Sequence, residues 1–292
     1  MKYRAYKYRL FPNEEQKVLI AKHLGSCRFI YNYALAKKVK AYQVDGTNLS
    51  RFDIQADLPN MKKSDEYCWL KEVNSLSLQA SLANLDSAYT KFFREHKGFP
   101  NFKSKKDSKQ SFFFFFNTKV DFENGRVFIP KFKIGIKAIF HRTFEGIVKS
   151  STITRTSTGK YFISIIVEVN ESDVPMKPIC ESKAVGIDLG IKTFAVLSDG
   201  TEIPNPKYLK QSIDKVKHLQ RSLSHKTKGS KNRDKARKRL ALAYERVTNQ
   251  RSDFLHKVTH YLVSNYDTIC LEDLNVKGMV KNHHLAQSIS DV

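Results

Sequence analysis

The spacing of the apolar residues changes partway along this chain, and that change limits the fold more than any single motif. After Asn13, Leu19, Ile20, Leu24, Cys27, Ile30, Tyr31 and Ala34 recur at helical spacing. Asn13 and Gln16 form a capping-box pattern, Glu14 and Glu15 suit a first turn, and Gly46 ends the run. A second helical region spans Phe52 to about Tyr67. A third runs from near Leu76 to near Glu95, with Leu78, Leu82, Leu85, Ala88, Tyr89 and Phe92 on one stripe. His96 to Lys109 reads as a basic, Gly/Pro-bearing linker, and after it the period becomes that of strands. Asn124-Gly125 and Gly159 mark hairpin turns there. Tyr3 to Phe11 also alternates as a strand and Pro12 ends it. The order is therefore strand, helices, strands: an α+β chain with a helical block inserted into a small β-barrel. Phe112 to Phe116 cannot all face one core, so some are expected to cover a helix or stack on bases.

Glu171 to Lys183, with two prolines, reads as a domain boundary. Beyond it, AVGIDLGIKTFAVLSDGTEI predicts an antiparallel hairpin or meander, turning at Gly190 to Lys192 and at Asp199-Gly200. Tyr208 to Val263 predicts two long helices broken near Gly229, too long for the compact DNA-reading motif. A short strand comes next at Thr268 to Leu274. Around the break, Lys226, Lys228, Lys231, Arg233, Lys235, Arg237, Lys238 and Arg239 face one acid. Such a run is either a solvated helix face or a phosphate-contacting surface, and its one-sided charge favours the second. Lys103, Lys105 and Lys106 in the linker are weaker candidates of the same kind.

Charge supplies the partner class. Lys and Arg number 51 against 29 Asp and Glu, a net charge of +22, which calls for a polyanion and first of all nucleic acid. The apolar share of 41% supports a sizeable core, and 292 residues suit about two domains. No stretch approaches the roughly 18 apolar residues of a spanning helix, so no membrane partner is expected. The basic start lacks the apolar region of a signal peptide. Cys27, Cys68, Cys180 and Cys270 are isolated and form no CxxC pair. They read as reduced core cysteines in a cytoplasmic protein with no zinc site.

Two carboxylates carry the chemistry. Asp188 stands between Ile187 and Leu189 in an apolar strand, where a charge is costly unless paired or bound to a metal. Glu272 ends another apolar run, Ile269 to Leu271. Adjacent strands would let the two hold Mg²⁺ with retained waters. Spacing alone leaves open an ordinary D-x-G turn and an ordinary strand end. His283-His284 reads as a surface pair.

VGIDLGIKTFAVLSDG together with ICLEDLNVKGM resembles the first two RuvC-like motifs of the TnpB (OrfB) family of transposon-encoded, RNA-guided DNA endonucleases. YKYRLFPNEEQ, CRFIYNYAL, GFPNFKSKK and the segment RSLSHKTKGSKNRDKARKRLALAYERVTNQRSDFLHKVT resemble the family in the same order. The resemblance implies a wedge-like β-barrel (1–15 and 108–176) carrying a helical recognition domain and basic linker (16–107). An RNase H-like (RuvC) α/β domain comes after it (181–292). The resemblance also implies Asp188 and Glu272 as the first two catalytic, metal-binding carboxylates, with Asp273 solvent-facing. Implied partners are a guide RNA from the transposon end and target DNA. The family's zinc ribbon and third catalytic Asp have no counterpart before Val292, and Asp291 does not match that Asp. The nuclease domain is therefore expected to be incomplete and cleavage weak or absent. The alternatives are a non-cutting RNA-guided binder or regulator, or an accessory transposase, though no His-hydrophobe-His with a catalytic Tyr is evident.

Overall fold

A computed structural model describes residues 2–107, 110–169 and 180–291. The chain divides into two compact units, Met1–Asp173 and Val174–Val292. Most of the boundary segment expected at Glu171 to Lys183 lies outside the described residues.

In the first unit, β1 (Lys2–Phe11) leads into α1 (Glu14–Asp45). The capping box forms as its residues require: Gln16 N donates to Asn13 Oδ1 at 2.8 Å and Asn13 N to Gln16 Oε1 at 3.1 Å. Gly46 ends α1 at φ 63°, a conformation open to glycine at no steric cost. The second helical region breaks into α2 (Arg51–Gln55), α3 (Asp57–Lys63) and a 3₁₀ turn over Cys68–Glu72. Then α4 (Ser75–Glu95) precedes β2 (Gln110–Phe114), β3 (Lys119–Asp121), β4 (Arg126–Phe128), β5 (Ile136–Ile139), β6 (Ile147–Arg155) and β7 (Tyr161–Val169).

These strands form one antiparallel sheet in the order β2-β6-β7-β1-β5-β4-β3. The expected barrel is not closed: β2 and β3 remain its two edges. The physical reason is that helices, not the sheet's far edge, cover its apolar face. Tyr6, Tyr8 and Leu10 of β1 share one core with Ile163, Ile165 and Val167 of β7 and with Ile20, Leu24, Leu78 and Leu82 of α1 and α4. Alternation sorts the phenylalanines. Phe112 and Phe114 are buried in this core, Phe113 on the other face is half-buried, and Phe116, beyond the end of β2, is exposed.

The second unit starts with β8 (Ala184–Leu189), β9 (Thr193–Leu197) and β10 (Glu202–Pro204). The helical hairpin α5 (Tyr208–Ser224) and α6 (Lys231–Asn265) comes next, with Gly229 at φ 89° in the turn. After it come β11 (Thr268–Leu271), shorter than the expected strand, and the short helices α7 (Val276–Met279) and α8 (Ala286–Ile289). The sheet order is β10-β9-β8-β11, with β11 parallel to β8 and the other pairs antiparallel. Val185, Ile187, Phe194, Ala195 and Leu197 form its core under Phe254, Val258 and Leu262 of α6. The cysteines depart from expectation. All four are free thiols, but only Cys27 is buried, because Cys68, Cys180 and Cys270 fall on turns and on the uncovered face. Among the described residues, no helix is long and apolar enough to cross a membrane.

Candidate metal site and nucleic-acid interface

Strand pairing places the two carboxylates at the ends of neighbouring strands. β11 pairs with β8 from Thr268↔Ala184 to Leu271↔Ile187, at the sequence offset that also separates Glu272 from Asp188. Asp188, in β8, and Glu272, the first residue past β11, are therefore next along the chain from the last pair, at the carboxyl ends of neighbouring parallel strands that run about 4.8 Å apart. The expectation of a charge within an apolar setting is corrected by the pleat. Val185 and Ile187 are buried, but Asp188 alternates onto the opposite, exposed face. Glu272, just past β11, is also exposed, as is Asp273. Neither carboxylate needs a partner to offset desolvation.

The turn after Asp188 is tight. A Cβ at Gly190 would sit 2.8 Å from the Thr193 carbonyl oxygen, and Gly190 N donates to Phe194 O at 3.2 Å. One strand turn earlier, Gly186 N donates to Ser198 Oγ at 3.1 Å and Ser198 N to Gly186 O at 2.9 Å. These contacts hold the end of β8. Two carboxylates at the ends of adjacent strands fit Mg²⁺, which is commonly held by one or two carboxylates and several waters. Among the described residues, no group of three or more His, Cys, Asp or Glu side chains could hold a metal. His283 and His284 are exposed.

Asp291 has a different place. It is the one buried residue of the segment 272–291. Its carboxylate accepts from Leu209 N at 2.8 Å and Lys210 N at 2.9 Å, and Arg251 Nη2 donates to it at 2.7 Å. Helix α5 has no side-chain cap of its own, since Lys207 stands at the N-cap with φ 48°. Asp291 supplies the missing cap from the far end of the unit. Burial pushes its carboxyl up, but the Arg251 guanidinium and the two amides outweigh that and hold it below the usual carboxylate range. Arg251 Nη2 also donates to Ser290 O at 2.7 Å, while its Nε is buried with no hydrogen-bond partner among the described residues. Sequence reasoning missed Arg251, for no local pattern marks it.

The basic hairpin is mostly open to solvent. Lys226, Lys228, Lys231, Lys235, Lys238 and Arg239 are exposed. Arg233 is half-buried: its Nη1 donates to Leu223 O at 3.0 Å and Lys226 O at 2.7 Å, closing the last turn of α5. Arg237 pairs with Asp234 at 2.8 Å on the surface. In the linker, Lys105 and Lys106 are exposed. Lys103 is tied to α1, its backbone exchanging hydrogen bonds with the Asn32 side chain at 2.8 and 2.9 Å. Its ammonium lies 3.9 Å from the Tyr31 ring centroid, and desolvation there lowers its pKa.

Two family profiles match the chain. One, described as "Probable transposase", matches residues 164–283, and one described as "Helix-turn-helix domain" matches residues 1–47. Over the latter stretch the chain forms β1 and the single helix α1. A Streptomyces pristinaespiralis protein named "Putative RNA-guided DNA endonuclease" is 34% identical over 290 residues, covering 99% of this chain and 71% of the relative. The Escherichia coli K12 protein named "Putative RNA-guided DNA endonuclease InsQ" is 35% identical over 279 residues, covering 95% and 68%. A Mycobacterium tuberculosis relative with a similar name is 23% identical over 314 residues, covering 96% and 68%.

Proposed function

Because the chain belongs to the OrfB (TnpB) family of transposase-related, RNA-guided DNA endonucleases, we propose that it directs phosphodiester hydrolysis in DNA chosen by a bound guide RNA. The placement of Asp188 and Glu272 where the β8–β11 ladder ends carries this reading. The two carboxylates hold a divalent cation, Mg²⁺ by the hardness of the donors. Once bound, such an ion activates water and stabilises the leaving oxygen. Their exposed face gives a DNA strand access without rearrangement of the sheet. The exposed lysines and arginines of the α5–α6 hairpin hold phosphates and fix the strand's position, while base pairing with the guide reads its sequence. Guide RNA from the transposon end and target DNA are the partners, and the cytoplasm is the compartment.

The test is cleavage of a plasmid bearing the guide-matched target by protein and guide RNA, with Mg²⁺ or with a chelator. Any cutting is expected to vanish with the chelator and in Asp188→Ala, with target binding kept. Equal cutting by Asp188→Ala would overturn the assignment.

A further inference from the structure

We propose that Asp291 is a positioning residue for Glu272, acting as the distant anchor of the segment that leads away from the carboxylate pair. The inference rests on the reading of Asp188 and Glu272 as a cation-binding pair. Glu272 is the first residue past the β8–β11 ladder, so strand pairing fixes the chain up to Leu271 and no further. The residues after Glu272 must therefore set the direction in which it leaves the sheet. Among the described residues, 273–289 make no hydrogen bond to any residue outside 273–291. Their bonds run within it, such as Val280 N to Val276 O at 3.1 Å and Ile289 N to Leu285 O at 2.9 Å. Val276, Met279, Val280 and Leu285 are exposed, so apolar burial holds the segment weakly as well.

The tie comes at its end. Ser290 O and the Asp291 carboxylate take both bonds of Arg251 Nη2, and the same carboxylate takes two amides of the first turn of α5. Three charge-assisted bonds meet on one buried side chain, each stronger than a neutral bond. The segment is thus held at two points, the ladder before Glu272 and the clamp at Asp291. Release of the clamp leaves Glu272 at the root of a loose strap. Loss of order there weakens a bound cation, whose site depends on both carboxylates being held in place.

The experiment uses the full 292-residue chain and Mn²⁺ as the probe, its affinity read by electron paramagnetic resonance. Asp188→Ala supplies the blank. Asp291→Asn keeps the shape of the side chain and removes its charge. It is expected to weaken Mn²⁺ about tenfold and to speed amide exchange over 273–289, with helix content kept. Leu262→Ala, a change in the packing of α6 on the sheet about three helical turns from Arg251, is the control for general destabilisation and should leave Mn²⁺ affinity unchanged. If Asp291→Asn fails to fold, Arg251→Lys, which keeps one charged donor, carries the comparison with a smaller expected loss. Unchanged Mn²⁺ affinity despite faster exchange would overturn the positioning role. So would an equal loss in Leu262→Ala. Mn²⁺ binding that survives in Asp188→Ala would instead bring down the carboxylate-pair reading, and this inference with it.

Discussion

His23 shows how much one buried side chain can commit. It is fully buried on α1, with Nδ1 donating to Leu19 O at 2.9 Å and Nε2 accepting from Asn74 N, the N-cap of α4, at 3.1 Å. Its ring stacks on Phe112 of β2 at 4.9 Å, so one imidazole joins two helices and the sheet. Burial lowers its pKa from 6.5 to about 4. A lowered value means that the unfolded chain takes up the proton first. The contribution is therefore complete above pH 6.5 and is lost as pH falls from there toward 4. At full protonation the loss is up to about 3 kcal/mol. Urea melts at pH 7 and pH 4.5 should show the first unit weakening, and His23→Gln should remove most of that pH dependence while lowering stability at pH 7. An unchanged pH slope in His23→Gln would show that other groups carry it. Asp188 teaches the opposite lesson about charge. Its neighbours in VGIDLG made it look enclosed, because glycines at alternate positions conceal which face of the strand is bare.

The α5–α6 hairpin divides eight basic residues into two kinds, and that division is testable. Seven are open to solvent, Arg237 among them beside Asp234, and Arg233 caps α5. Changing Lys235, Lys238 and Arg239 to Gln should flatten the salt dependence of nucleic-acid binding, by about 0.9 in slope per lost duplex contact or 0.7 per single-strand contact. Arg233→Gln should instead lower the melting temperature of the second unit, a loss of roughly 1–2 kcal/mol, with little change in slope. A slope unmoved by the triple change would place the nucleic acid elsewhere. Elements such as this hairpin were legible in the sequence because their signals are local. Gly46, Gly125, Gly159 and Gly229 all turn the chain with positive φ where the sequence marked a break. The neighbouring of β8 and β11 was legible too, through two apolar runs each ending in a carboxylate. The open barrel and the Arg251–Asp291 clamp were not. Both depend on which distant surface reaches a face first, and no periodicity encodes that. The clamp joins residues from three parts of the second unit, and the open sheet reflects helices competing for its apolar face.

At the scale of the molecule, two separate cores should give two separate stabilities. The first gathers β1, β7, α1 and α4 around Ile163, and the second gathers β8, β9 and α6 around Ile187. They differ in kind. The first holds aromatic and aliphatic residues from many elements, whereas the second has, among the described residues, five buried members under α6. Buried apolar area is the main favourable contribution to folding, so the second unit should be the weaker. Calorimetry of the apo chain should resolve two transitions rather than one. Ile163→Ala should lower the upper transition and Ile187→Ala the lower, each by about 2–4 kcal/mol of its own unit's stability. The consequence for function lies in the lower one. Ile187 precedes Asp188 and pairs in register with Leu271, so the unit that melts first carries both carboxylates. Mg²⁺ that binds the folded pair should raise that transition alone, in proportion to the logarithm of its concentration. A single transition, or an equal response of both to Ile187→Ala, would show instead that the chain folds as one cooperative body.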